Sequence, residues 1–341
     1  MQTFPKSEPE LEDALTRPNE KDISAASQLS GDVVVLGAGG KIGPSLVVRI
    51  KRAIEAAAVP YRVKAVVRRD RNGDFAAYAD RVDVIEADLL DGASYDRLPD
   101  APNVVFMAGR KFGSVGDLPL TWATNVWIAG LAASRYRGSR MVAFSTGNVY
   151  PFVPAEAAAP TEATPPAPVG EYAQSALGRE RIFEHFAKTT ATPVLIFRLN
   201  YAVDLRYGVL VDIGQKVLHG QPIDLTMGYF NAIWQGDANS YVLRSFALCD
   251  VPARHLNVTG PQTLSVRTVA RRFGELFGIA PILTGQEAAT ALLSDASHCM
   301  RELGPVEVTE DELIEMTAHW LSAGKPTLGK PTGFERRDGK F

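Results

Sequence analysis

Residues 32–43, DVVVLGAGGKIG, carry a β-branched run straight into four closely spaced glycines, and PSLVVRIKRAIEAAA follows with helical apolar spacing. A strand that turns at once into a helix through glycines is a narrow structural requirement. Glycine permits positive φ in the tight turn and lets the backbone approach a pyrophosphate. The first turn of the helix then offers unpaired N–H groups and a favourable dipole to an anion. Gly37, Gly39, Gly40 and Gly43, with Lys41 and Ile42 between them, are therefore candidate dinucleotide contacts. A strand-to-helix junction without a ligand would use similar glycines; the flanking strand and helix give the pattern its value.

The strand–helix alternation continues. RVKAVVRR, VDVIEADL, NVVFMAG, RMVAFST and PVLIFRLN read as further strands, and LTWATNVWIAGLAASRY and YAQSALGRERIFEHFAK as helices. Alternation of this kind implies right-handed crossovers and a parallel sheet. The expected fold is α/β, a Rossmann-type doubly wound parallel sheet with a smaller C-terminal substrate-binding lobe. With 341 residues the chain has room for both. The sheet domain is expected over 31–200 with return segments near 231–262, and the lobe over 201–230 and 263–322. An N-terminal arm, 1–30, precedes them and a tail, 323–341, follows. In the arm, Ser7 and Glu10 suggest a capping box opening a helix over 7–15. The Pro- and Ala-rich stretch 151–170 reads as a long surface loop inside the domain.

A net charge of −3 gives no electrostatic footprint for nucleic acid. Two cysteines, Cys249 and Cys299, make no disulfide framework and suggest a reducing compartment. No apolar run is long enough to span a bilayer, and the first thirty residues lack a signal-peptide pattern. The expectation is a cytoplasmic protein with no nucleic-acid or membrane partner. The five histidines are scattered without ligand spacing, so no metal site is expected. FSTGN lacks the glycine pattern of a hydrolase nucleophile elbow.

The second strand ends VVRRDR. An acid at this place would hydrogen-bond the ribose 2′-hydroxyl of NAD, whereas arginine accommodates the 2′-phosphate of NADP. Arg68, with Arg69, favours NADP; Asp70 keeps NAD open, and both arginines also fit a solvated edge.

With these features the chain resembles the extended short-chain dehydrogenase/reductase superfamily, specifically the NAD-dependent epimerase/dehydratase family, over about residues 31–322. Gly37, Gly40 and Gly43 match that family's phosphate loop, and Asp88 and Leu89 the pair that holds adenine. Ala108 and Gly109 match its small-residue turn, Asn125 the asparagine of the following helix, and Leu199 joins the implied cofactor contacts. FSTGNVY resembles its fifth strand, with Thr146 at the catalytic serine/threonine position and Ser145 beside it. YAQSALGRE resembles its tyrosine helix, through Tyr172 and Glu180, and Asp237 and Asn257 fall on its later landmarks. The resemblance implies that Tyr172 exchanges a proton with a substrate oxygen that Thr146 orients, while hydride moves to or from nicotinamide. It also implies a possible homodimer.

One position departs from the pattern. A lysine four residues after the tyrosine normally favours tyrosinate and holds the nicotinamide ribose, and here that residue is Ala176. Arg179, on the same helical face two turns on, could substitute, as could Arg110 or Lys111 after the fourth strand; each also fits an exposed surface charge. Otherwise Tyr172 keeps a near-normal pKa and serves better as acid than as base, or the site binds dinucleotide without turnover. RLNYAVD also departs from the Arg-x-Phe-Asn-x-Tyr-Gly of nucleotide-sugar enzymes, with Tyr201 where that asparagine belongs. Lys111, Asn200, Tyr201, Arg206 and Gln235 are candidate contacts for a sugar, sugar acid or similar small polyhydroxylated substrate, with Trp234 a weaker one. The implied function is NAD(P)-dependent oxidoreduction or epimerisation. A non-catalytic dinucleotide sensor and a redox-neutral dehydratase are the alternatives.

Overall fold

The computed structural model describes residues 4–69, 75, 82–330 and 332–340. Seven strands form one sheet: β1 (Val33–Leu36), β2 (Val63–Val67), β3 (Val82–Glu86), β4 (Asn103–Phe106), β5 (Arg140–Thr146), β6 (Val194–Leu199) and β7 (Arg254–Val258). Their spatial order is β7-β6-β5-β4-β1-β2-β3, and every pairing is parallel. Helices cover both faces, which is why the central strands are continuous apolar runs. Val33 and Val35 enter one core cluster while Val34 and Leu36 enter the other. Strand order reverses between β1 and β4, and a crevice opens there beyond the carboxyl ends.

Six strands are legible as apolar runs; β7 is not. His255 and Asn257 interrupt its pattern, and it is a sheet-edge strand paired through Arg254–Leu195 to Val258–Leu199. Its place is set by β6, not by its own sequence.

The main helices are α1 (Glu8–Thr16), α2 (Glu20–Ser27), α3 (Gly43–Ala56), α4 (Leu118–Trp122), α5 (Ile128–Arg135), α6 (Gly170–Thr190), α7 (Val209–Leu218), α8 (Gln235–Arg244), α9 (Val266–Phe277), α10 (Ser297–Leu303) and α11 (Glu310–Ser322). A single π-turn, Ala123–Trp127, joins α4 to α5. The expected box at Ser7 forms by half. Ser7 Oγ accepts from the Glu10 N–H, but the Glu10 carboxylate accepts from Lys6 N at 2.8 Å. Complete boxes stand on α2, between Asn19 and Asp22, and on α11, between Thr309 and Glu312.

These N-terminal helices are packed into the molecule. Leu11 and Leu15 are fully buried in the apolar cluster of the lobe, and α1 lies against α3 and α8. Asp22 accepts from Arg49 Nε at 2.8 Å, with both side chains almost wholly buried, and Ser240 Oγ donates to its other oxygen. Breaking one partner of such a pair strands a buried charge and costs about 3–5 kcal/mol. That pair ties α2 to the first crossover helix.

The lobe core gathers Phe230, Trp234, Phe273 and Trp320. The tail returns to it: Phe334 is 2% exposed, and Thr332 Oγ1 donates to Asp212 at 2.6 Å. The 151–170 loop is pinned as well, since Val153–Pro154 pairs antiparallel with Thr290–Ala291. No helix among the described residues is long and apolar enough to cross a membrane.

Candidate active site

The glycine loop closes directly on the turn after β4. Gly37 has φ +87°, and a Cβ there would lie 2.7 Å from the Ala108 backbone, so the turn admits no larger residue. Gly40 is different. A Cβ on it would meet only the Gly37 carbonyl oxygen at 3.7 Å, an ordinary contact, so packing does not demand glycine there. Helix α3 starts at Gly43 without a side-chain cap; the Gly43 N–H donates to the Gly40 carbonyl at 3.1 Å and Pro44 has no N–H to offer.

Two cavities meet at this loop. The first, about 600 Å³, is lined by Gly37, Gly39, Gly40, Ala108 and Gly109 on one side and by Arg68, Arg69, Asp88 and Leu89 on the other. Arg68 and Arg69 are both exposed at its rim. Asp70, the alternative ribose partner, lies outside the described residues. The second cavity, about 780 Å³, shares Gly40, Met107 and Gly109 with the first. Lys41, Ile42, Lys111, Ser145, Thr146, Tyr172, Leu199, Asn200 and Tyr201 all border it. Most of the candidates named from the sequence thus share one crevice.

Tyr172 and Thr146 face each other there. Burial pushes the Tyr172 phenol above its ordinary range, while the nearby Arg179 charge and a hydrogen bond with Thr146 pull it back. Thr146 Oγ1 also accepts from Asn148 N at 3.2 Å, which fixes its rotamer. Ser145 is committed elsewhere. Its hydroxyl donates to Glu180, whose carboxylate also takes Arg198 Nε at 2.9 Å and Nη2 at 2.7 Å. Arg198 donates to the Tyr150 hydroxyl at 2.7 Å, and that hydroxyl donates to Asn257 Oδ1 at 2.8 Å. This buried chain crosses beneath β5, β6 and β7.

Ala176 is 1% exposed and packs against Val149 and Tyr150. Arg179 is a charge that acts on the Tyr172 phenol. The expectation of an exposed surface charge fails for it, because it is only 6% exposed. Its side chain is long enough to cover the second helical turn. Nη1 donates to the Phe144 carbonyl at 2.9 Å, and Nε and Nη2 donate to Asn125 O and Oδ1 at 3.1 and 2.7 Å. A Cβ on Gly109 would come within 2.6 Å of Nη2, so the guanidinium reaches the turn shared by both cavities. Asn125 holds it there while also accepting from Arg110 N at 2.8 Å and donating to Ser175 Oγ at 2.8 Å. Asn125 is a clamp for Arg179 and the β4 turn.

Two lysines border the same cavity. Lys111 Nζ lies 5.9 Å from the Tyr172 ring centre and 6.0 Å from that of Tyr201, and burial lowers its pKa to about 8 although its stem is partly exposed. Lys41 Nζ stands 4.4 Å over the Tyr207 ring and 3.4 Å from the Ala202 carbonyl; burial lowers it to about 8, with Asp204 opposing. Tyr201 adopts φ +45°, rare for a bulky residue. Its ring rests edge-on to Phe230.

Two other candidates stand outside this crevice. Arg206 binds Glu12 at 2.6 Å and Asp204 at 3.3 Å, fastening α1 to the lobe beside a separate cavity of about 480 Å³. Gln235 is buried between α3 and α8 and donates to Ser45 Oγ at 2.9 Å. Trp234 is lobe core. Asn148, Tyr207, Lys330 and Thr332 border the cavity but were not singled out from the sequence. Nothing local marks Lys330 or Thr332, because the tail reaches the site only through tertiary packing. Among the described residues, Glu180, Glu184 and His255 bring possible metal-ligand atoms together, yet Arg198 already engages both Glu180 oxygens.

Residues 33–203, about half of the chain, match the profile of the NAD dependent epimerase/dehydratase family. The chain belongs to that family. No curated protein matches it by sequence. Among solved structures, MoeE5 in complex with UDP-glucose and NAD is 20% identical, covers 86% of this chain and 99% of its own, and superposes with a TM-score of 0.69. UDP-glucuronic acid 4-epimerase from Bacillus cereus, with UDP-glucuronic acid and NAD, gives 16% identity, 85% and 99% coverage and a TM-score of 0.70. The UDP-glucose 4-epimerase of Thermus thermophilus with NAD gives 20%, 84%, 98% and 0.69. At these identities the likeness is one of fold. In this family member the residues around the loop leave room for a dinucleotide, since the small Gly40 keeps the space over the loop open.

The Arg179 geometry carries a pH consequence. Its charge lowers a phenol that burial has raised, so Arg179→Met should move Tyr172 ionisation to still higher pH. The difference in alkaline tyrosinate absorbance between each protein and its Tyr172→Phe counterpart measures this. An unmoved titration would show that the guanidinium does not tune the phenol.

Proposed function

We propose that this protein is an NAD(P)-dependent oxidoreductase or epimerase acting on a hydroxyl or carbonyl of a sugar, sugar acid or similar polyhydroxylated molecule. The observation that carries the reading is Tyr172 and Thr146 meeting at the crevice mouth with the Arg179 guanidinium nearby. When bound, the dinucleotide supplies the hydride donor or acceptor. Gly37, Gly39, Gly40, Ile42 and Gly43, with the backbone alone of Lys41, would cradle its phosphates, and Asp88, Leu89, Ala108, Gly109 and Leu199 would border its other parts.

Tyr172 serves as the proton-exchanging group. Its phenol is neutral at pH 7 and stands ready to donate to a carbonyl oxygen, which favours the reductive direction. Thr146 orients that oxygen, and Arg179 stabilises the tyrosinate left behind. Ser145 acts through Glu180 as a positioning residue. Asn200, Tyr201 and Lys111 are the substrate contacts this reading keeps, whereas Arg206 and Gln235 support the walls. The sugar nucleotides held by the solved relatives make a carbohydrate the leading substrate class.

NADP is favoured over NAD because Arg68 and Arg69 rim the first cavity. A homodimer fits the exposed Trp122 and Trp127 on the α4–α5 segment, at 36% and 59% exposure. Cytoplasmic residence fits two free cysteines.

Three outcomes test these statements. Reduction of keto-sugars with NADPH or NADH, followed by absorbance and product analysis, should fall at least about a hundredfold in Tyr172→Phe. Tight dinucleotide binding without turnover or product across the panel would instead mark a sensor. Arg68→Ala should weaken NADPH by about tenfold or more and NADH little, since it removes a charge-assisted phosphate contact; equal losses would end the preference for NADP. Sedimentation should find a dimer, and a monomer at micromolar concentration would remove the pairing.

A further inference from the structure

The second cavity has a strongly one-sided polar lining. Among the described residues bordering it, Lys41, Lys111 and Lys330 carry positive charge and none is an aspartate or glutamate. Lys41 and Lys111 both approach one segment, Lys41 Nζ 3.4 Å from the Ala202 carbonyl and Lys111 Nζ 6.0 Å from the Tyr201 ring centre. Next to that segment in sequence and at the same wall stands Asn200, 2% exposed, whose Nδ2 donor has no partner. A buried amide left unsatisfied is destabilising, so an acceptor is expected to complete it. The Asn200 side chain lies over the turn beside Thr146, since a Cβ on Gly147 would meet its Cγ at 3.0 Å.

The dinucleotide phosphates do not account for this pole. Lys41 turns its ammonium toward the lobe, at Tyr207 and Ala202, and is not among the residues lining the cavity that Arg68 borders. Asp204, the acid nearest it electrostatically, is already engaged by Arg206.

We propose that the substrate is an acidic sugar whose anionic group, a carboxylate or a phosphate monoester, is held by Lys41, Lys111 and the Asn200 amide. This deepens the proposed function, resting on the crevice being the substrate site. The anion stands at the Tyr201–Ala202 wall and leaves the uncharged hydroxyls for Thr146 and Tyr172. Tyr201, standing where nucleotide-sugar enzymes of the family carry asparagine, lines the same wall.

Calorimetric titration of the dinucleotide-free protein with glucuronate, glucose 6-phosphate and glucose tests the assignment. One charged sugar should bind at least about tenfold tighter than glucose, and whether it is the carboxylate or the phosphate identifies the source. Lys111→Gln should erase that margin and Lys111→Arg should keep it, which separates charge recognition from damage to the fold. Binding of neither charged sugar, or a margin that survives the Lys41→Gln/Lys111→Gln double variant, overturns the proposal. NADPH binding, followed separately by fluorescence, tests the cofactor reading alone: charge preference without NADPH binding removes that reading and leaves this one standing.

Discussion

Two consecutive charges on α6, Arg179 and Glu180, hold the tyrosine helix against the sheet from both sides. Arg179 reaches the β4 turn through Asn125 and the end of β5 through the Phe144 carbonyl. Glu180 grips β5 through Ser145 and β6 through Arg198. Both side chains are nearly inaccessible to water, where an unpaired charge would be strongly destabilising. Helix rotation or sliding would break both sets of bonds together. Tyr172, two helical turns earlier, therefore inherits its position from this pair. The β5 carboxyl end, which carries Thr146, is fixed by the same contacts.

How much of this can be read in the sequence depends on the range of the forces involved. The apolar runs of β1 to β6 and the glycines after β1 are local signals, and the structure matches them closely. Gly37 and Gly40 differ here: the former is required by packing against Ala108, whereas packing does not require the latter. β7, the docking of α1 and α2 and the return of Lys330 to the crevice depend on partners far along the chain. Glu10 shows the limit even at short range, since its carboxylate takes the Lys6 N–H in place of the reciprocal bond of the expected box. Arg179 lies on the expected helical face, but its burial has no local signal. Burial depends on Asn125 and Phe144 offering acceptors in the right places.

The second cavity is costly to build. Lys41 and Lys111 are both desolvated enough to bring their pKa values to about 8, so each sits near the point of losing its charge. Tyr201 adds a left-handed backbone conformation, worth roughly 1–2 kcal/mol for a residue with a Cβ. Strain and desolvation concentrated around one segment are features that packing alone would remove. Both features border the cavity that holds Thr146 and Tyr172.

Replacement of the usual lysine by Ala176 and Arg179 also divides what one residue would otherwise do. A lysine there would supply a charge to the phenol and a donor to the ribose. Arg179 has three of its nitrogens occupied, by Asn125 twice and by Phe144. What it gives Tyr172 is a field, acting on the phenol without a direct hydrogen bond. An arginine does this well, because it stays charged where a buried lysine would neutralise. The ribose-holding duty does not pass to it with the same freedom. A cation so tethered suits a site in which the phenol must release its proton and the ligand is oriented chiefly by the pocket's own lysines and amide.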